Sequence, residues 1–192
     1  MAILSISVLV RHLSVQGGFA LLPNYMEEGL GADPMVIALI SASNMIIQAC
    51  LMIPVGRLTD YFGRRIVLLL GILCSELAIL GFSFIFIPWM LIFPQMVMGF
   101  AWPAMATSTY AMVTDITTRR NRSQGMAWLN AGFAIGGSIG PLLAGLILSQ
   151  SGNNFNLAFQ ILSIFPIASI LLLLIAFSEN RTTHQYFRLR ER

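Results

Sequence analysis

Apolar side chains run along this chain in six long blocks, and the polar and charged residues gather mostly in the short segments between them. The blocks cover residues 3–26, 34–55, 66–87, 89–113, 126–149 and 155–177. Each is close to the roughly 20 residues that a helix needs to cross a hydrocarbon core. The run from 66 to 113 is about two crossings long, so it must turn back once, and Pro88 is the obvious turning point. A chain in lipid must satisfy its backbone groups within helices or a closed barrel, and the blocks lack the period-two alternation of barrel strands. The pattern therefore predicts an all-α membrane protein with six transmembrane helices.

Composition supports this and charge orients it. The 192 residues are 57% hydrophobic and only 10% charged, whereas a soluble globular chain carries about 25% charge. There is no lysine, and the arginines cluster. Arg57, Arg64 and Arg65 follow the second block, Arg119, Arg120 and Arg122 the fourth, and Arg181, Arg188, Arg190 and Arg192 the sixth. The opposite loops hold Glu27, Glu28 and Asp33, or the uncharged QSGNNFN. The positive-inside rule then places both termini in the cytoplasm of a multi-pass protein of the plasma or inner membrane. The net charge of +3 reports topology and makes no case for nucleic acid. Residues 1–178 form one six-helix bundle and 179–192 a basic cytoplasmic tail, with no soluble domain between.

Several signals lead elsewhere. Cys50 and Cys74 fall inside spans and suit small core residues better than a disulfide. Gly136-Gly-Ser138-Ile-Gly140 spells the G-x-S-x-G of serine hydrolases, but that motif needs a strand-to-helix turn and a nearby base. Ser138 sits mid-helix, and the histidines are His12 and His184, the second in the tail. An intramembrane enzyme is the weaker alternative. No catalytic residue, metal site or cofactor is expected.

Polar residues within spans are expensive unless they face protein or water, so they mark candidate paths for a solute. At helical spacing the second span offers Ser41, Asn44 and Gln48, and the first offers His12 and Gln16, with Asn24 near its outer end. The fourth adds Gln95 and Trp102 along one stripe, and the fifth adds Asn130. Interhelical hydrogen bonding is the competing role for each. Arg11 lies about 24 Å from Glu27 along a helix, and snorkelling to the cytoplasm is the expected behaviour. Glu76 lies near the midplane among Ile72, Leu73, Ile79 and Leu80, which makes it a candidate proton site. Gly132, Gly136 and Gly140 form a flat stripe for close helix approach, with Pro141 inviting a bend beside it.

The stretch PVGRLTDYFGRR packs unusual charge between two apolar spans. Arg64 and Arg65 stand at a helix start, where the dipole disfavours cations by roughly 0.3–1 kcal/mol each. Acidic partners are near, Asp60 four residues before Arg64 and Asp115 on the same membrane face, and Gly56 and Gly63 bracket the expected turn. A charged clasp and a purely topological arginine loop both fit.

Gly56-x-Leu58-x-Asp60-x-x-Gly63-Arg64-Arg65 resembles the loop between helices 2 and 3 of the major facilitator superfamily, with Tyr61 where a basic residue is usual. Asp115 followed by Arg122 resembles the family's helix 4–5 loop. Gly136-x-x-x-Gly140-Pro141-x-x-Ala144-Gly145 resembles the helix 5 motif of its proton-coupled exporters, with Ala144 replacing a glycine. The likeness departs in helix 4, where Gln95 stands in place of a common arginine four residues before Gly99. It covers the N-terminal half of an ordinary member: one bundle made of two inverted three-helix repeats.

The resemblance implies a secondary active transporter. Efflux of small apolar or amphipathic solutes is the first expectation, with protons as possible partners, and a sugar or organic-anion carrier is the alternative. A non-transporting scaffold or regulatory half is the alternative from another class. Gly56, Asp60, Gly63, Arg64, Arg65, Asp115 and Arg122 would form the conformational clasp. Helices 1 and 4 would line the cavity, favouring Gln16, Asn24, Gln95 and Trp102, with Asn44, Gln48 and Asn130 as further candidates. Six helices make one of the two bundles that alternating access requires, so the expected partner is a second bundle, most simply another copy, the alternative being that the chain represents the N-terminal half of a twelve-helix carrier. The helix 5 stripe Gly132, Gly136, Gly140, Pro141 and Gly145 is expected at that interface.

Overall fold

The computed structural model describes residues 2–175. The tail from 179 onward, with Arg181, Arg188, Arg190, Arg192 and His184, lies outside the described residues. Helix α1 spans Ala2–Asn24 and runs on into a π-helical turn at Tyr25–Gly29. Then follow α2 (Pro34–Phe62), α3 (Arg64–Phe84), a 3-10 turn (Pro88–Leu91) leading into α4 (Ile92–Ile116), and α5 (Arg122–Gln150). The last helix, α6 (Phe155–Leu162), is interrupted at Ser163 and resumes over 164–175. Among the described residues there is no strand, and six helical segments are long and apolar enough to cross a membrane.

Local chemistry sets the boundaries. At the start of α2, Asp33 Oδ1 accepts from the backbone N–H of Met35 at 2.8 Å, and Pro34 occupies the first helical turn, where its missing N–H costs nothing. Asn154 caps α6 likewise, accepting from Leu157 N–H at 3.1 Å. The turn between α3 and α4 is extended backbone at Ile85 and Ile87 just before Pro88, as the doubled apolar run requires.

The end of α2 and the start of α5 differ from expectation. Helix α2 passes straight through Gly56 and ends only at Phe62, so Gly63 alone makes the turn, with φ +90° that a side chain would strain. The reason is packing: Val55 and Thr59 are buried, and Val55 clusters with Val67 of α3 and Ala104 of α4. That contact outweighs the roughly 1 kcal/mol that one interior glycine costs a helix. Helix α5 likewise starts earlier than its apolar block, at Arg122.

The two triplets α1–α3 and α4–α6 pack as exchanged partners. The first helix of each lies along the second helix of the other, α1 on α5 and α4 on α2, and these are among the most extensive contacts in the bundle. Helices α3 and α4 also pack closely: a Cβ on Gly71 would stand 2.9 Å from Ala104 Cβ and 3.0 Å from Met105 N.

The glycine stripe of α5 belongs to this inner seam. A Cβ on Gly136 would meet His12 Cβ and Leu9 O at 2.9 Å, one on Gly132 would meet Ser5 O at 3.0 Å, and one on Gly140 Leu13 O at 2.5 Å. Ala144, fully buried, faces Gly17 in the same register. The stripe expected at an interface between copies is therefore covered by α1 of the same chain. Gly145 lies off the seam, with nothing within 4 Å of its Cβ position.

The break in α6 follows from Pro166, which has no N–H to return to the carbonyl of Leu162, four residues earlier. Ser14 of α1 supplies the missing donor, its hydroxyl reaching Leu162 O at 2.7 Å. Ser169 Oγ donates back to Ser7 O at 2.8 Å, so two buried serines tie α1 and α6 together.

Candidate functional site

Helices α1, α2 and α4 enclose a cleft of about 470 Å³ on one side of the bundle. Seven residues expected on a solute path line it: His12 and Gln16 from α1, Ser41, Asn44 and Gln48 from α2, Gln95 and Trp102 from α4. Phe19, Leu22, Met45 and Met98 make the remaining wall largely apolar. Asn44 is held in place by donating through Nδ2 to the Gln95 carbonyl at 3.0 Å. That contact is possible because α2 and α4 touch at Gly99, where a Cβ would lie 2.8 Å from Ile47 Cγ2.

Two expected path residues are elsewhere. Asn24 is exposed at the end of α1, outside the cleft lining. Asn130 accepts from the Tyr110 hydroxyl at 3.1 Å, an exposed α4–α5 bond. Ser138 is exposed on α5 with its hydroxyl donating to Ala134 O at 2.9 Å, an ordinary helical back-bond away from the seam on which His12 sits.

Arg11 overturns the snorkelling expectation. It is fully buried and lines the cleft. Its Nε and Nη2 donate to Ser75 Oγ of α3 at 3.0 and 2.7 Å, and Ser75 spends its own proton on Gly71 O. Snorkelling needs a face open to lipid, whereas α1 is packed against α3, α5 and α6. His12 sits beside it, between a tilted Trp102 ring (5.6 Å) and Phe133 met edge to face (5.2 Å), with Gln16 Nε2 at 3.2 Å from its Nε2. The sequence signal for Arg11 was its depth in the span; the partner that holds it, Ser75, carried no signal of its own.

At the arginine-bearing end, Arg64 answers why a cation opens a helix. Its guanidinium pairs with Asp115 and donates from Nη1 to Ala111 O at 3.0 Å. The C-terminal end of α4, where the dipole is negative, thus offsets the unfavourable start of α3. Asp60, Gly63, Arg65 and Thr59 border the same small hollow as this pair. Neither Asp60 nor Arg122 takes part in the Arg64–Asp115 ion pair. Gly56, inside α2, is not at the turn.

Glu76 is 4% exposed on α3, and neither carboxyl oxygen has a hydrogen-bond partner. Ser163, at the break in α6, is the hydroxyl it faces, but Ser163 Oγ donates instead to Gln160 O at 2.7 Å. Glu76 does not line the cleft. Among the described residues no cluster of three His, Cys, Asp or Glu side chains gathers as metal ligands would.

Comparison with known proteins converges on one family. The sequence model of the Major Facilitator Superfamily matches residues 4–192. The chain is 31% identical over 121 residues to the class H tetracycline resistance protein of Pasteurella multocida, a match covering 63% of this chain and 29% of that protein. It is 26% identical over 164 residues to the class B tetracycline resistance protein of Escherichia coli, covering 84% and 40% respectively. With the inner membrane transport protein YajR of Escherichia coli it shares 28% identity over 150 residues, 74% of this chain and 32% of that one. The chain thus spans well under half the length of these relatives.

Proposed function

The chain belongs to the Major Facilitator Superfamily, and we propose that it forms one six-helix wall of a secondary transporter that exports small amphipathic molecules by alternating access. The observation that carries this is the cleft. Convergent polar groups on α1, α2 and α4 share it with an apolar wall, which suits a solute and would be costly against lipid. The outward direction is supported by two relatives named for tetracycline resistance and by the α5 motif. A second six-helix bundle, related by an axis along the membrane normal, closes the open side, and another copy of this chain is its simplest source. The arginine-bearing end faces the cytoplasm of a plasma or inner membrane. There the Arg64–Asp115 pair, with Asp60, Arg65 and Arg122 close in sequence, is the contact that breaks and remakes as the bundles rock.

Flux measurements in proteoliposomes test the reading, comparing amphipathic solutes with and without an imposed pH gradient. Saturable movement above protein-free vesicles is the expected result. Saturable ligand binding with no flux under any gradient would instead favour a regulatory half.

A further inference from the structure

We propose that the cleft binds an amphipathic monoanion, its carboxylate on the Arg11 guanidinium and its apolar body along Phe19, Met45, Met98 and Trp102. The proposal rests on the transport reading only in taking this cleft as the cargo site, and it names the chemical class of that cargo.

Charge balance is the core of the argument. Arg11 is fully buried, and among the described residues it has no ion pair. Its contacts are two hydrogen bonds to one neutral hydroxyl, Ser75 Oγ. Ser75 can accept both because its proton is committed to Gly71 O. Of the five guanidinium protons, three are uncommitted, including both on Nη1, which is buried without a partner. A buried cation left this way is strongly unfavourable, and such a residue in a membrane span marks a functional site.

Among the described residues no acid answers it. Neither aspartate nor glutamate lines the cleft, and Glu76, next to Ser75 in sequence, faces Ser163 of α6. The neighbouring His12 adds to the imbalance. With Gln16 Nε2 donating to its Nε2, the ring proton is on Nδ1, a second buried atom without a partner. Arg11 Nη1 and His12 Nδ1 are thus unmet donors beside a positive charge, against one unmet acceptor on the cleft lining, Gln95 Oε1, and the planar oxyanion of a carboxylate matches a guanidinium edge. The apolar wall explains why the anion must be amphipathic: a small inorganic anion would leave it against water.

Calorimetric titration of the purified full chain in micelles tests this, with 2-naphthoate and its neutral isostere 2-naphthamide as probes and empty micelles as the blank. Naphthoate should bind saturably at least tenfold tighter than the amide. Arg11→Gln should abolish the preference, and Arg11→Lys should retain part of it. Equal affinity for the two probes, no saturable naphthoate binding, or an undiminished preference in folded Arg11→Gln protein would overturn the proposal. The wild-type comparison decides the matter if Arg11→Gln fails to fold. Naphthoate preference without flux would sink the transport reading alone, whereas flux of neutral solutes indifferent to excess naphthoate would sink the anion and leave transport standing.

Discussion

At the scale of single residues, the acids of this bundle divide by what they touch. Asp115 holds Arg64, so Asp115→Asn should release the α3–α4 clasp and shift the inward/outward balance of the assembled transporter. Cysteine accessibility from each side of the membrane would read that shift. If Asp60 receives Arg64 in the opposite access state, Asp60→Asn should move the balance the other way. Identical accessibility in both variants, with normal flux, would reduce the cluster to a topological signal. Glu76 makes a different prediction because it is buried beside Ser163 and away from the cleft. If it carries protons, Glu76→Gln should leave naphthoate affinity within about twofold and abolish the response of flux to a pH gradient. Full coupling in that variant would remove the residue from the mechanism. Local features of this kind were partly legible in the sequence: depth alone singled out Glu76 and Arg11. Azimuth was not legible, since a polar residue in a span faces cleft, neighbour or lipid according to helices distant in sequence. Gln16, Asn44, Gln48, Gln95 and Trp102 therefore fell on the cleft while Asn24 and Asn130 did not.

At the scale of helices, small residues and prolines decide how closely the elements approach. Gly136→Leu places a side chain where even a Cβ would be 2.9 Å from Leu9 O, so it should force α1 and α5 apart. Overpacking of this kind costs about 1–3 kcal/mol, and the melting temperature in detergent should fall. Gly145→Leu, with open space around it, should leave melting unchanged. Equal behaviour of the two would mean the seam is not packed as described. The α1–α6 junction allows a sharper test. Ser14→Ala orphans the Leu162 carbonyl, a loss of about 0.6–2 kcal/mol for an interhelical bond in a membrane protein. Adding Pro166→Ala restores the N–H that α6 lacks, so the double variant should recover part of the loss and the two effects should be non-additive. The six spans themselves were plain from hydropathy because the membrane fixes their length. The extension of α2 to Phe62 was not. Arg57, Asp60 and the glycines have loop chemistry, and only the burial of Val55 and Thr59 against other helices keeps the segment helical.

At the scale of the whole molecule, the open side of the cleft is the unresolved energetic demand. Ser41 and Gln48 lie on α2 at the cleft, beside Met45, which is 65% exposed in the single chain. Polar groups at this depth cannot rest against lipid without cost, so another bundle and a water-filled path should cover them. Because α5's glycine stripe is already occupied by α1, the proposed second bundle would have to meet other surfaces of α2 and α5, such as those bearing the exposed Ile53, Leu142 and Leu146. Two consequences follow in membranes containing the full chain. Gln48→Cys should react with a membrane-impermeant maleimide from one side, and excess 2-naphthoate should slow that reaction. Two differently tagged copies carrying Leu142→Cys or Ile53→Cys should cross-link if the second bundle is another copy of this chain. Labelling of Gln48→Cys without cross-links at any tested position of α2 or α5 would assign the second bundle to different sequence. A Gln48→Cys protein shielded from the reagent on both sides would mean that lipid, or a closed partner, covers the cleft, and would remove the aqueous path on which alternating access depends.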